Sequence, residues 1–208
     1  GGAWSGNGKL EVLSQLMRLR QICCDPALCF EDYTGESAKL ETCVSLIASA
    51  SAAGHKILLF SQFASMLERI RERLLQEGIS SHLLVGATPK EERSRMVQAF
   101  ASDEVPVFLI SLKAGGTGLN LTAADIVIHY DPWWNVAAQN QATDRAYRIG
   151  QEKPVTVYKL ILKDTIEENL LKLQNAKLAL AAQVVSEGMV SLGDLSQNEL
   201  MELFEQNP

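Results

Sequence analysis

Two helical periods open the chain. From Lys9 to Ile22, Leu10, Leu13, Leu16, Met17 and Leu19 recur at three- and four-residue spacing, as on an amphipathic helix. Pro26 ends that helix at or before Asp25, since the residue preceding a proline is pushed out of the helical region. After a polar loop, Glu31 to Ser37, a second helix is predicted from Lys39 to Ala53. Leu40, Val44 and Ile47 share one face and Gly54 is its stop.

The pattern then alternates. Lys56 to Ser61 is a short continuous apolar run, as expected of a strand covered on both faces, and Ser81 to Val85, Val105 to Ser111, Asp125 to Tyr130 and Val155 to Leu162 read as further strands. Helical segments fill most intervals: Phe63 to Gln76, Thr88 to Phe100 and Ala137 to Arg148. Thr88, Pro89 and Glu91 read as the N-cap, first helical residue and reciprocal acid of a capping box. Repeated strand–helix–strand units predict an α/β fold with a central parallel sheet and helices on both sides. Past Asp164 no strand follows. A long helix to about Glu187 and a short one from Glu199 to Glu205, capped by Ser196, form a C-terminal helical appendage. The expected division is therefore 1–37 as lead-in, 38–164 as the α/β lobe and 165–208 as the appended helices.

Length and composition add limits. With 208 residues, 47% of them apolar, the chain can bury a full core without disulfides or metal. Gly1 to Gly8 lacks the basic end and apolar block of a signal peptide and reads as a loop or as residues left by cloning. No apolar run approaches the roughly 18 residues of a membrane span. Cys23, Cys24, Cys29 and Cys43 form no CxxC pair and lie far from His55, His82 and His129, so free thiols rather than a zinc site are expected. His129, inside a strand, is expected to be a packed core residue.

In open parallel sheets, ligands bind beyond the carboxyl ends of the strands, so the turns there carry the candidate chemistry. The first, Ser111 to Leu121 (SLKAGGTGLNL), offers glycines, the Ser111 hydroxyl and the Lys113 cation. That set suits a phosphate, or, more plainly, a tight turn. The second, Gln141 to Gln151 (QATDRAYRIGQ), sets Arg145 and Arg148 at i and i+3. Two adjacent guanidiniums suit an anion supplied from outside, or else complement a helix C-terminus. In Tyr130 to Asn135 (YDPWWN), Trp133 is assigned to the core and Trp134 to an exposed edge able to meet nucleic acid. Ser61 and Gln62 end one strand, and Gly86 and Thr88 precede a helix N-terminus; such groups hold backbone phosphates without reading bases. The pattern GxxxxGK[ST] and a DExx acid pair occur nowhere, so the parts that cradle a triphosphate and its magnesium are missing. No Ser-His-Asp or Cys-His arrangement is evident.

These segments resemble a known family. LISLKAGGTGLNLTAADIVIHYDPWWN followed by QATDRAYRIGQ resembles motifs V and VI of the Swi/Snf-type DNA translocases of helicase superfamily two, and KILLFSQF resembles motif IV. The DPWWN variant looks more like bacterial members. The resemblance implies a RecA-like three-layer lobe, the second of two, in a double-stranded-DNA-dependent ATPase. It implies arginine fingers at Arg145 and Arg148 and nucleotide-side positions at Gln141, Gly116, Asn120 and Asp144. It puts Ser61, Gln62, Gly86, Thr88, Ser111, Lys113 and Trp134 against DNA. ATP and magnesium would be bound mainly by the first, N-terminal RecA-like lobe, leaving this chain inactive alone. The expected partners are that lobe and duplex DNA, with no metal held here, no membrane, and a cytoplasmic, nucleoid-associated place. Lys113 stands where the family often has arginine, and Val85 where many members have aspartate. A docking module without ATPase partner and an RNA helicase lobe remain the alternatives.

Charge bears on this choice. The net charge of −6 alone opposes nucleic-acid binding. However, residues 165–208 hold two basic and seven acidic residues, whereas residues 55–163 hold 13 basic and 11 acidic. The acidity thus belongs mostly to the appended helices and the N-terminal region, and a lobe of this balance binds DNA weakly by itself.

Overall fold

The computed structural model of the chain describes residues 6–114, 119–146 and 153–183, with 196, 199 and 201; from 177 to 183 only the backbone is described. Five strands, β1 (Ile57–Ser61), β2 (Ser81–Leu84), β3 (Val107–Ser111), β4 (Ile126–His129) and β5 (Thr156–Lys159), form one sheet in the order β2-β3-β1-β4-β5. All four pairings are parallel, with Ile57 in register with Val107 on one side and Ile126 on the other. The predicted α/β class with a central parallel sheet holds.

β1, β3 and β4 are buried at every residue, which is why their sequences are continuous apolar runs rather than alternating ones. Alternate residues feed two cores. Ile57, Leu59, Val107, Leu109 and Ile128 pack with Val44 and Ile47 of α2 (Ala38–Ala52) and Met66, Leu67 and Ile70 of α3 (Ala64–Gln76). Leu58, Phe60, Phe108, Ile110 and Val127 pack on the other face with Phe100 of α4 (Lys90–Ser102) and Ala142 of α5 (Val136–Thr143). The result is a three-layer αβα sandwich. β5, at the edge, is exposed throughout.

Outside the sandwich, α1 (Gly6–Cys24) and α6 (Ile166–Gln183) meet through Leu16, Trp134 and Leu170. A single 3₁₀ turn, Pro26–Leu28, follows α1 and is capped by the Asp25 carboxylate accepting from the Ala27 amide. α6 also docks by charge. The Lys39 ammonium of α2 donates to both oxygens of Glu167 at 2.6 Å, and both residues are buried. Glu167 in turn accepts from the Leu162 amide at 2.9 Å.

Three local readings need correction. α1 starts at Gly6, so the expected loop through Gly8 is partly helical. Thr88 does not cap α4. Its hydroxyl instead accepts from the Val85 amide, and Pro89 occupies the cap without a side-chain bond. α5 stops at Thr143, so Arg145 lies in a turn and not on a helix face. Asp164 takes a left-handed φ of 58° before α6, and its amide donates to Glu168. The Ser196 capping expectation is met: the Ser196 hydroxyl accepts from the Glu199 amide while the Glu199 carboxylate accepts from Ser196 N–H.

Candidate functional site

β1 continues through α3 to β2 on one side of the sheet, while β4 continues through α5 to β5 on the other. The carboxyl ends of β1 and β4 therefore flank the crevice that such a sheet offers to ligands. Ser61 and Gln62 stand at one lip, Asp131 and Pro132 at the other. The Ser61 hydroxyl donates to Asp131 Oδ1, and the Gln62 amide N–H lies 3.3 Å from both carboxylate oxygens. Gln62 Nε2 donates to the Pro132 carbonyl at 3.1 Å. Arg20 of α1 reaches the same carbonyl at 2.8 Å and approaches Asp131 at 3.9 Å. Asp131 is fully buried; burial pushes its carboxyl up, opposed by the Arg20 charge and the Ser61 bond. Ser61 is itself buried, so its hydroxyl serves this internal network, and Gln62 is half-buried. Neither Arg20 nor Asp131 was among the expected site residues. Arg20 lies 112 residues from Pro132 and Asp131 lies 70 from Ser61, so no local spacing signals either contact.

Ser111 ends β3 in register with Ser61. It is buried and accepts from the Ala114 amide at 3.3 Å, which tightens the following turn. Lys113 is exposed beside it. A Cβ placed on Gly86 would lie 3.8 Å from Cβ of Lys113, so the loops after β2 and β3 adjoin. Arg93 of α4 donates to the Gly86 and Thr88 carbonyls, each at 2.8 Å. It both shapes that loop and adds a cation that sequence inspection passed over. Gly86, Thr88, Lys113 and Arg93 thus share one rim, with the buried Ser111 beneath it. A backbone loop and two cations there can meet phosphates without reading bases.

The third group lies between residues 119 and 146. Asn120, Gln141 and Asp144 are exposed. The Leu121 amide donates to the Arg145 carbonyl at 3.3 Å, joining the segment before β4 to the turn after α5. Arg145 is 3% exposed, so its guanidinium is packed into the lobe and not projected from it. Gly116 and Arg148 lie outside the described residues.

Trp133 is a core residue as expected, set edge-on to Phe60 and His129. Trp134 is a correction. It is 8% exposed and packed between Leu16 and Leu170, so it does not stand free to stack on a base. α1 and α6 cover the edge where that ring was expected to be open. His129 is also packed as expected: burial and the charge of Lys159 lower it to about 4. The cysteines are all free thiols, and burial pushes Cys43 up to about 12. Among the described residues no group of three or more His, Cys, Asp or Glu is placed to hold a metal ion, and no helix is long and apolar enough to cross a membrane.

Comparison with known proteins fits this architecture. Residues 38–150 match the model of the helicase conserved C-terminal domain. The C-terminal domain of the Sulfolobus solfataricus SWI2/SNF2 ATPase superposes with a TM-score of 0.77 at 32% identity, covering 99% of this chain and 86% of that one. This chain is a SWI2/SNF2-type helicase C-terminal domain. Its similar curated relatives include the putative ATP-dependent helicase/translocase YwqA of Bacillus subtilis, 44% identical over 94% of this chain, and an ATP-dependent helicase of Mycoplasma genitalium, 40% identical over 94%. The SWI2/SNF2-type domain spans about a fifth of their length, 22% and 19% respectively. The Sulfolobus ATPase core solved in complex with double-stranded DNA superposes with a TM-score of 0.80 at 35% identity, covering 99% of this chain and 44% of that one.

Proposed function

We propose that this domain is the second motor lobe of a double-stranded-DNA-dependent ATPase and translocase, acting in the cytoplasm on the nucleoid. Its kinship with a core that was solved on duplex DNA carries the reading. The rim of Gly86, Thr88, Lys113 and Arg93, with Ser111 shaping the turn beneath it, supports it, because phosphate contacts of this kind position a protein on DNA independently of sequence. Residues 38–164 form the lobe proper. Residues 1–37 and 165–208 tie it to the N-terminal RecA-like lobe, its partner in cis. Gln62 faces the backbone beside that rim. Ser61 supports it from beneath, and Trp134 supports it through the α1–α6 seam.

ATP and magnesium fit the exposed Asn120, Gln141 and Asp144, together with Gly116 and the Arg145–Arg148 segment, only as a lining supplied to a nucleotide held elsewhere. The described residues contain no acid cluster for the metal. When bound between lobes, the nucleotide supplies a phosphoanhydride whose hydrolysis drives the motor. Arg148 and Arg145 would stabilise charge on its terminal phosphate from this side, and Asp144 would orient the neighbouring arginine. Arg145 is packed into the lobe, so its guanidinium would have to be released from that packing to reach the phosphate.

The test is ATP turnover by the intact protein with duplex DNA. An arginine finger is worth about 10³–10⁵ in turnover. Arg148→Ala is therefore expected to lose turnover by at least two orders of magnitude, and Arg145→Ala likewise. Full turnover in both variants sinks the finger assignment and favours a docking role. Stimulation by RNA in place of duplex DNA moves the lobe to the RNA helicases.

A further inference from the structure

The contacts of Arg20 converge with those of Gln62. Arg20 Nη2 and Gln62 Nε2 donate to the same acceptor, the Pro132 carbonyl, at 2.8 and 3.1 Å. One residue earlier, Asp131 receives the Ser61 hydroxyl and the Gln62 amide and faces the Arg20 charge. One turn of α1 before Arg20, Leu16 packs on Trp134. One face of α1 therefore grips residues 131–134 at two points, and those residues grip Gln62 by both its backbone and its side chain.

Stability alone does not account for this arrangement. Arg20 is 1% exposed, and its Nε and Nη1 have no hydrogen-bond partner. Its remaining support is the Phe63 ring, 5.8 Å from the guanidinium carbon. Burying an incompletely satisfied cation against a carboxylate whose desolvation is equally unfavourable gains little over an apolar pair of the same volume. What an ionic contact supplies and an apolar one does not is a fixed direction. Arg20 specifies where the Asp131–Pro132 peptide sits relative to α1, and hence where Gln62 sits.

We infer that Arg20, through Asp131 and Pro132, is a positioning residue that transmits the orientation of α1 to Gln62 at the DNA-facing crevice. The inference rests on the motor reading above. If α1 turns when the two lobes of such a motor move relative to each other, its contacts at Leu16 and Arg20 carry that turn to residues 131–134. The Arg20 bridge converts that turn into a displacement of the loop after β1, so nucleotide-driven motion and grip on the DNA backbone change together.

Two measurements test it. The first needs no DNA: hydrogen exchange of the Gln62 amide, which donates to Asp131, read against the β3 amides, which report wider opening of the sheet. Arg20→Met is expected to speed that exchange at least tenfold and leave amides of β3 unchanged, with Arg20→Lys intermediate. Unchanged exchange at Gln62 in Arg20→Met overturns the inference whether or not the protein is a DNA motor. The second uses the intact protein and measures base pairs moved per ATP. Arg20→Met is expected to lower that ratio at least twofold and to raise the duplex concentration for half-maximal stimulation, with partial rescue in Arg20→Lys. An unchanged ratio overturns the inference. If Arg20→Met does not fold, Arg20→Gln, which leaves Asp131 and its bonds to Ser61 and Gln62 in place, carries both measurements with the same expectations. A wild-type protein without duplex stimulation refutes the motor reading instead, and the exchange result then still decides the Arg20–Gln62 coupling.

Discussion

His129 shows how a single side chain can be read from sequence and then given a measurable consequence. It lies inside β4, stacked on Phe60 with ring centroids 5.6 Å apart, and its Nε2 pairs with the Thr143 hydroxyl at 2.9 Å. Its other ring nitrogen is buried with no partner, so the protonated ring has no acceptor there. Burial, with Lys159 adding to it, lowers the group from 6.5 to about 4. The folded state thus binds the proton later than the unfolded chain as pH falls. Stability from this group is complete above about 6.5 and is lost progressively down to about 4. A shift of this size corresponds to roughly 3 kcal/mol. Urea unfolding at pH 7, 5.5 and 4 is expected to show the loss, and His129→Asn is expected to flatten that part of the profile. An identical pH slope in the variant assigns the loss to other groups. The carboxyls of Asp131 and Glu167, raised by burial, act in the opposite sense, which is why the comparison with the variant matters.

At the scale of elements, periodicity was a sound guide where burial dictates it. β1, β3 and β4 were legible because a strand covered on both faces has to be apolar throughout. α3 was legible because its inward face repeats at helical spacing. The failures occur where a polar group had two uses. Thr88 fits a capping box, yet its hydroxyl closes the loop behind it. The run to Arg148 suits a helix, yet α5 ends at Thr143 and the Arg145 carbonyl bonds across to Leu121. Helix ends marked by glycine were readable because only conformation decides them. Gly78 follows α3 with φ of 73° and open space around any added Cβ. Gly78→Ala therefore tests backbone strain without a clash. It is expected to cost about 1–2 kcal/mol in chemical denaturation. A neutral result would show that the turn relaxes to negative φ at little cost.

At the scale of the molecule, sequence and structure part most clearly in the seam around α1 and α6. Motif resemblance marked the loops of the sheet edge, since those residues are contiguous. It could not mark Arg20 with Asp131, or Lys39 with Glu167, which are 128 residues apart. The same seam removed Trp134 from the surface, a change that no property of the YDPWWN segment foretells. The Lys39–Glu167 pair joins α2 to α6, with the ammonium 5.2 Å from the Tyr130 ring centroid. Both partners are buried, so the pair is in the regime where loss of one member is far worse than loss of both. Lys39→Met leaves Glu167 with only the Leu162 amide to satisfy it and is expected to cost about 3–5 kcal/mol. Lys39→Met combined with Glu167→Leu is expected to recover most of that loss, because two apolar side chains replace two desolvated charges. Urea denaturation of both variants and of Glu167→Leu completes the cycle. Additive losses across the cycle would show that the two charges are solvated independently. Recovery in the double variant would show that the two charges are coupled across the α2–α6 contact and that an apolar pair holds it as well as the ionic one.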